Sequence, residues 1–163
     1  MVDKYSWVDV GSSYLPSEIQ AAYLWGQLEC ADTITENRRA TWGAYYGALL
    51  ELKTAGLLEL PVVPLGCEQN GHMFYVKTKN LEDRTALLAH LRADGVYAVF
   101  HYVPLHSAQA GSRFSRFHGI DRFTTVESER LLRLPIYYGM PDAHRDCVIH
   151  SVLNFYKCTQ LAA

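Results

Sequence analysis

From Ser17 to about Ala55 the chain keeps helical spacing with one break near Asp32-Thr33, and the first half of that stretch is apolar around much of its circumference. Ile19, Ala22, Tyr23, Gly26 and Cys30 recur at three- and four-residue intervals, and Leu24, Leu28 and Ala31 add an adjoining stripe. A helix on the surface of a monomer carries a narrower apolar face than this. Any fold open to the chain must therefore find cover for a long helix. The start of the helix is well marked: Ser17 is an N-cap, Gln20 completes a capping box, and Pro16 stands just outside the first turn. Gly11, Ser12, Ser13 and Tyr14 bring N–H groups and hydroxyls up to that start, where an anion such as a phosphate can bind. A purely structural cap is the commoner use of such a loop. Residues 1–10, with Trp7, Val8 and Val10, read as a short strand or extended arm that needs a partner or preceding chain to lie against.

The second half of the helical stretch carries Arg38, Arg39, Trp42, Tyr45, Tyr46, Leu49 and Leu50, and Gly56 stops it. Leu57–Pro61 reads as a short strand, and His72–Thr78 as a better one, rich in β-formers. Asn80, helped by Asp83, caps a helix with a Leu87, Leu88, Leu91 stripe that Gly95 closes. Val96–Val103 is nearly continuous in apolar residues and reads as a central strand. Ser107–Phe123 is a long polar loop, of the length that serves a function or covers an interface. A short helix over 125–133, an extended Leu134–Tyr138 and a last helix from Asp142 complete the chain. The expected class is α+β: a small, mostly antiparallel sheet with helices on one face, preceded by a long helix. The expected division is an arm and helical segment over 1–57 and a small α/β domain over 58–163.

The 163 residues are 49% hydrophobic and 20% charged, which suits an ordinary globular domain. A net charge of −2 offers no footprint for nucleic acid or an anionic membrane, and a solvated helix face accounts for the Arg38-Arg39 pair. Cys30, Cys67, Cys147 and Cys158 have no zinc-ligand spacing, so they read as reduced, mostly buried thiols in a cytoplasmic protein. His101 and His106, across a Pro-containing turn, can point into one cleft, yet no third ligand is spaced for a metal, and hydrogen-bonded structural histidines, His72 among them, are the plainer reading. Glu127 and Glu129 face different ways and form no acid–base pair. Nucleophile-elbow, phosphate-loop and dinucleotide motifs are lacking, so spacing alone makes no residue catalytic.

Gln20-Ala21-Ala22, Gln27-Leu28, Asn37-Arg38-Arg39, His72–Val76, His101–His106 and Ser128–Pro135 occur in the order found in a known family, and together they cover nearly the whole chain. The sequence resembles the C-terminal part of the DegT/DnrJ/EryC1/StrS family of pyridoxal-phosphate sugar aminotransferases. The resemblance implies the C-terminal domain of an aspartate-aminotransferase-like, fold-type-I enzyme whose large cofactor-binding domain is absent here. It implies that Ser13 and Tyr14 reach the cofactor phosphate of a neighbouring subunit. Ser13 stands where most relatives have asparagine, and Leu15 where many have arginine, so a charge contact is lost there. His106 is implied to lie near the active-site mouth, either orienting sugar nucleotide or pinning its own loop. Family members form an imine between the cofactor aldehyde and an upstream lysine. Lys4, Lys53, Lys77, Lys79 and Lys157 match none of its contexts, so this chain alone is expected to bind no pyridoxal phosphate and not to transaminate. The implied complete reaction moves an amino group from glutamate to a dTDP-4-keto-6-deoxyhexose. The implied partners are a second copy or the large domain. The alternative is a non-catalytic, truncated oligomerisation or interaction module.

Overall fold

The computed structural model describes residues 14–161, with side chains through residue 158, so the expected arm over 1–10, Ser13 and Lys4 lie outside the described residues. The chain forms two compact units that divide between Thr33 and Ile34.

In the first unit, α1 (Glu18–Glu29) begins with the capping box expected from Ser17 and Gln20. Ser17 N donates to Gln20 Oε1 at 3.0 Å, and Gln20 N donates back to Ser17 Oγ at 3.3 Å. The helix breaks at Cys30, and α2 (Ala31–Thr54) follows at once.

The second unit is an α+β layer. It holds most of α2, then β1 (Phe74–Lys77), α3 (Leu81–Ala93), β2 (Val99–Phe100), α4 (Gln109–Phe114), α5 (Thr124–Arg130), β3 (Leu131–Leu134) and α6 (Asp142–Leu161). The sheet order is β1-β3-β2, and both pairings are antiparallel, with Phe74 opposite Leu134, Lys77 opposite Leu131 and Val99 opposite Arg133. Period-two alternation puts Phe74, Val76, Leu132 and Leu134 on one face, all buried. That face packs with Tyr45, Leu49 and Leu52 of α2, Leu87 and Leu91 of α3, and Val148, Val152 and Tyr156 of α6. Each such buried side chain contributes about 1.5–3 kcal/mol before conformational entropy is subtracted.

The helix ends behave as their residues dictate. Asn80 Oδ1 accepts from Asp83 N at 2.8 Å, and Gly56 and Gly95 take positive φ values of 69° and 78° where α2 and α3 stop.

The expected strand His72–Thr78 contains β1, whereas the other strands depart from expectation. Val96–Val103 is not central: only Val99–Phe100 pairs, at the sheet edge, with both side chains about half exposed. An apolar run reads alike whether both its faces are covered or one is left open. The central strand is β3, which takes over directly where α5 ends, so the expected helix over 125–133 gives way to a strand after Arg130. Glu59 makes a single antiparallel bridge to Lys77 instead of the Leu57–Pro61 strand. The long loop contains α4. The four cysteines are unpaired but exposed, not buried. Cys147, for instance, stands beside the buried Val148 on α6, off its inward stripe.

Candidate functional site

The segment between β2 and α5 carries the expected site residue His106, and one carboxylate organises it. Asp121 Oδ1 accepts from Thr124 N at 2.9 Å, and Oδ2 accepts from Thr125 N at 3.2 Å and Thr125 Oγ1 at 2.6 Å. Asp121 thus caps the first turn of α5 from outside the helix. These bonds, the Thr125 hydroxyl foremost, hold the Asp121 carboxyl below the usual carboxylate range. His106 Nε2 lies 3.0 Å from Asp121 Oδ2 and 3.4 Å from Thr125 Oγ1, and its ring tilts against Phe117 with centroids 4.5 Å apart. One ring nitrogen is therefore committed to the loop's own structure, and Nδ1 is the nitrogen left for a ligand. Asp121 is the partner that sequence reasoning missed, because nothing local links a Pro-Leu-His turn to an aspartate at the far end of the same loop.

Beside this knot lies a cleft of about 340 Å³, lined by His101, Tyr102, Val103, Pro104, Leu105, Ser128 and Leu131 among others. Ser128 Oγ donates to Tyr102 O at 2.7 Å and ties α5 to the loop. His101 Nδ1 is buried without a partner, and its ring meets Tyr102 edge-on. His101 and His106 thus take up separate positions, one in the cleft wall and one bound to Asp121. His72 stands apart from both, before β1. Tyr14 is 91% exposed, with no described neighbour to fix its hydroxyl.

The lysines test whether the chain suits pyridoxal phosphate. Lys77 Nζ is clasped between Glu59 at 2.9 Å and Glu127 at 2.7 Å. These carboxylates, Glu127 first, hold its ammonium above the usual lysine range. An amine that attacks an aldehyde must be free of its proton, so Lys77 is poised the wrong way. Lys53 is exposed and turned to Tyr46, its Nζ 3.2 Å from the hydroxyl. Lys79 and Lys157 are exposed, where water would reach an imine. Among the described lysines, Lys77 is thus held as an ammonium between two carboxylates, and Lys53, Lys79 and Lys157 stand in the open.

Arg38 corrects the reading of a solvated basic pair. Its Nε donates to Gly71 O at 3.0 Å and its Nη2 to His72 O at 2.6 Å, while Arg39, one residue and 100° around the helix, pairs with Glu68 at the surface. The loop comes so close that a Cβ on Gly71 would stand 2.7 Å from the Arg38 carbonyl carbon, and Gly71 has φ +67°. Only glycine meets both demands.

Residues 1–153 match the DegT/DnrJ/EryC1/StrS aminotransferase family. The chain is 30% identical over 138 residues to the dTDP-3-amino-3,4,6-trideoxy-alpha-D-glucose transaminase of Micromonospora megalomicea subsp. nigra, which covers 83% of this chain and 36% of that protein. Among solved structures it is similar to S. venezuelae DesV in complex with a ketimine intermediate, with a TM-score of 0.77 and 29% identity over 94% of this chain and 40% of that one. It is also similar to a DegT DnrJ EryC1 StrS aminotransferase from Brucella abortus, with a TM-score of 0.73 and 25% identity over 94% of this chain and 39% of that one. The chain thus spans well under half the length of these relatives.

Proposed function

This chain belongs to the DegT/DnrJ/EryC1/StrS aminotransferase family, and from that we propose that it forms the C-terminal part of a pyridoxal-phosphate-dependent sugar-nucleotide aminotransferase. The family match across residues 1–153 carries the reading. In the complete enzyme the reaction is transfer of an amino group from glutamate to a dTDP-4-keto-6-deoxyhexose in the cytoplasm. Residues 58–163 form the small domain, onto which α2 packs through Tyr45, Leu49 and Leu52, and the arm and first helix within residues 1–57 reach the large domain or a second copy. Ser13 and Tyr14 approach the cofactor phosphate of the neighbouring subunit, and His106, steadied by Asp121, faces sugar nucleotide through Nδ1. The chain alone supplies no imine-forming lysine and assists a site whose cofactor is held elsewhere.

The Gly11–Ser17 stretch is similar to that of the dTDP-4-amino-4,6-dideoxygalactose transaminase of enterobacterial-common-antigen type, which favours amination at C4 and a role in building surface polysaccharide. A second reading, amination at C3, is favoured by the 30% identical relative, whose product carries its amine there. The test supplies the purified chain with glutamate, pyridoxal phosphate and dTDP-4-keto- or dTDP-3-keto-6-deoxyglucose, with and without a cofactor-binding large domain of a relative. Turnover only with the large domain, and preference for one ketone, is the expected result. Turnover by the chain alone, with pyridoxal trapped by borohydride on one of its lysines, overturns the assisting role. No turnover in any combination favours the interaction module.

A further inference from the structure

A cleft of about 310 Å³ opens between α2, the residues before β1 and the β2–β3 edge. Two guanidinium groups, Arg38 and Arg133, and the imidazole of His72 line it, with Met73, Val99 and Ile136 as apolar walls, and no carboxylate faces into it. Neither arginine has a carboxylate partner among the described residues; of the others without one, Arg92, Arg113, Arg116 and Arg122 are exposed to water and Arg84 spends its Nε on Glu129 O. The two divide their work differently. The donors of Arg38 are spent on the carbonyls of Gly71, His72 and Ile136, so it brings charge to the cleft but few free N–H groups. Arg133 is the reverse: Nη2 reaches Phe100 O only at 3.4 Å, and Nε is shut off from water without an acceptor. Arg133 is half-buried, projecting from the central strand on the face opposite the core. A guanidinium so placed has neither full hydration nor a counter-ion, and its paired Nη groups form a planar fork that suits two oxygens of one anion.

We propose that this cleft binds a small oxyanion, a carboxylate or phosphate group on a compact body, with Arg133 as its hydrogen-bond donor and Arg38 as a fixed second charge. The site is built from this chain's own residues and does not depend on the amino-transfer reading. The walls limit the body to something small and partly apolar, and His72, also in the lining, offers it a further polar contact.

The test uses the full chain with arginine side chains labelled in nitrogen-15. Inorganic phosphate and acetate are titrated separately at constant ionic strength, with chloride as the reference. The expected result is a saturable shift of the Arg133 Nε–Hε resonance with at least one of the two, and the responsive anion tells phosphate from carboxylate. Arg133→Lys, followed through the Arg38 Nε–Hε resonance of the same cleft, keeps the charge and loses the fork, and should raise Kd about tenfold. Arg92→Lys, on the exposed side of α3, should leave Kd unchanged. The proposal is overturned if neither anion moves the resonance beyond chloride, or if Arg133→Lys binds as tightly as the parent. Should that variant fail to fold, the parent's own Arg133 resonance decides.

Discussion

The hydroxyl of Tyr45 donates to Pro135 O at 2.8 Å, while that of Tyr156 is buried and finds no acceptor. Burial pushes both phenols up, Tyr156 to about 12 and Tyr45 further, so both stay un-ionised at any ordinary pH. The same substitution should therefore act differently at the two positions. Tyr45→Phe strands a half-buried carbonyl just past the end of β3 and should cost about 1–2 kcal/mol, read as a lower urea midpoint with an unchanged slope. Tyr156→Phe removes a desolvated hydroxyl that gains nothing from its surroundings, so it should lie within about 0.5 kcal/mol of the parent or above it. Equal losses at both would mean that Tyr156 has an acceptor after all.

At the scale of elements, four charges close a ring around the junction of β1 and α5. Lys77 pairs with Glu59 and Glu127, Arg130 pairs with the same two carboxylates, and Arg130 Nε also donates to Thr78 O at 2.7 Å. Glu59 is held below its ordinary 4.5, by the Arg130 hydrogen bond above all, and Lys77 is held above its ordinary 10.5. The signs are opposite. The stabilisation from Glu59 is complete above 4.5 and drains away as pH falls through its lower folded value; that from Lys77 is complete below 10.5 and drains away as pH climbs through its higher one. Glu59→Gln should therefore unfold more easily than the parent near neutral pH, with the gap in urea midpoint closing on acidification. A gap that is constant from neutral pH down to about pH 3 would show that the ring contributes nothing through Glu59's charge. None of this ring was legible beforehand, and the reason is general to the chain. Helix ends were readable because Ser17, Asn80, Gly56 and Gly95 act on backbone groups within a few residues of themselves. Among the strands His72–Thr78 was readable from its β-formers, and β1 lies within it; the rest were not, because a strand is defined by its partner: Leu131–Arg133 looked like the tail of a helix until Phe74–Lys77 lay beside it. The same holds for the site. The Pro-Leu-His turn could be picked out, but Asp121, the carbonyls that absorb Arg38, and the isolation of Arg133 all depend on segments far apart in the chain.

At the scale of the whole chain, the apolar girth of the first helix, evident in its sequence, is matched by exposure. Ile19, Tyr23, Trp25 and Leu28 are 83%, 73%, 67% and 60% exposed, and α1 buries none of its residues. Burying even half of these side chains against another surface would contribute several kcal/mol, at about 1.5–3 kcal/mol for each one fully covered. That offsets a good part of the cost of association. The full chain should therefore self-associate, with an average mass in sedimentation equilibrium that rises with concentration. Sulfate, which strengthens apolar burial, should promote the association, whereas added salt weakens contacts between exposed charges. Replacing Ile19, Trp25 and Leu28 with serine should return the chain to monomer. A parent that stays monomeric across concentration and sulfate would leave the aromatic and aliphatic face of α1 without an associating role. Association that persists in the triple variant would move the contact to another surface, such as the β2–α5 segment, where Tyr102, Leu105 and Phe123 are all more than 70% exposed.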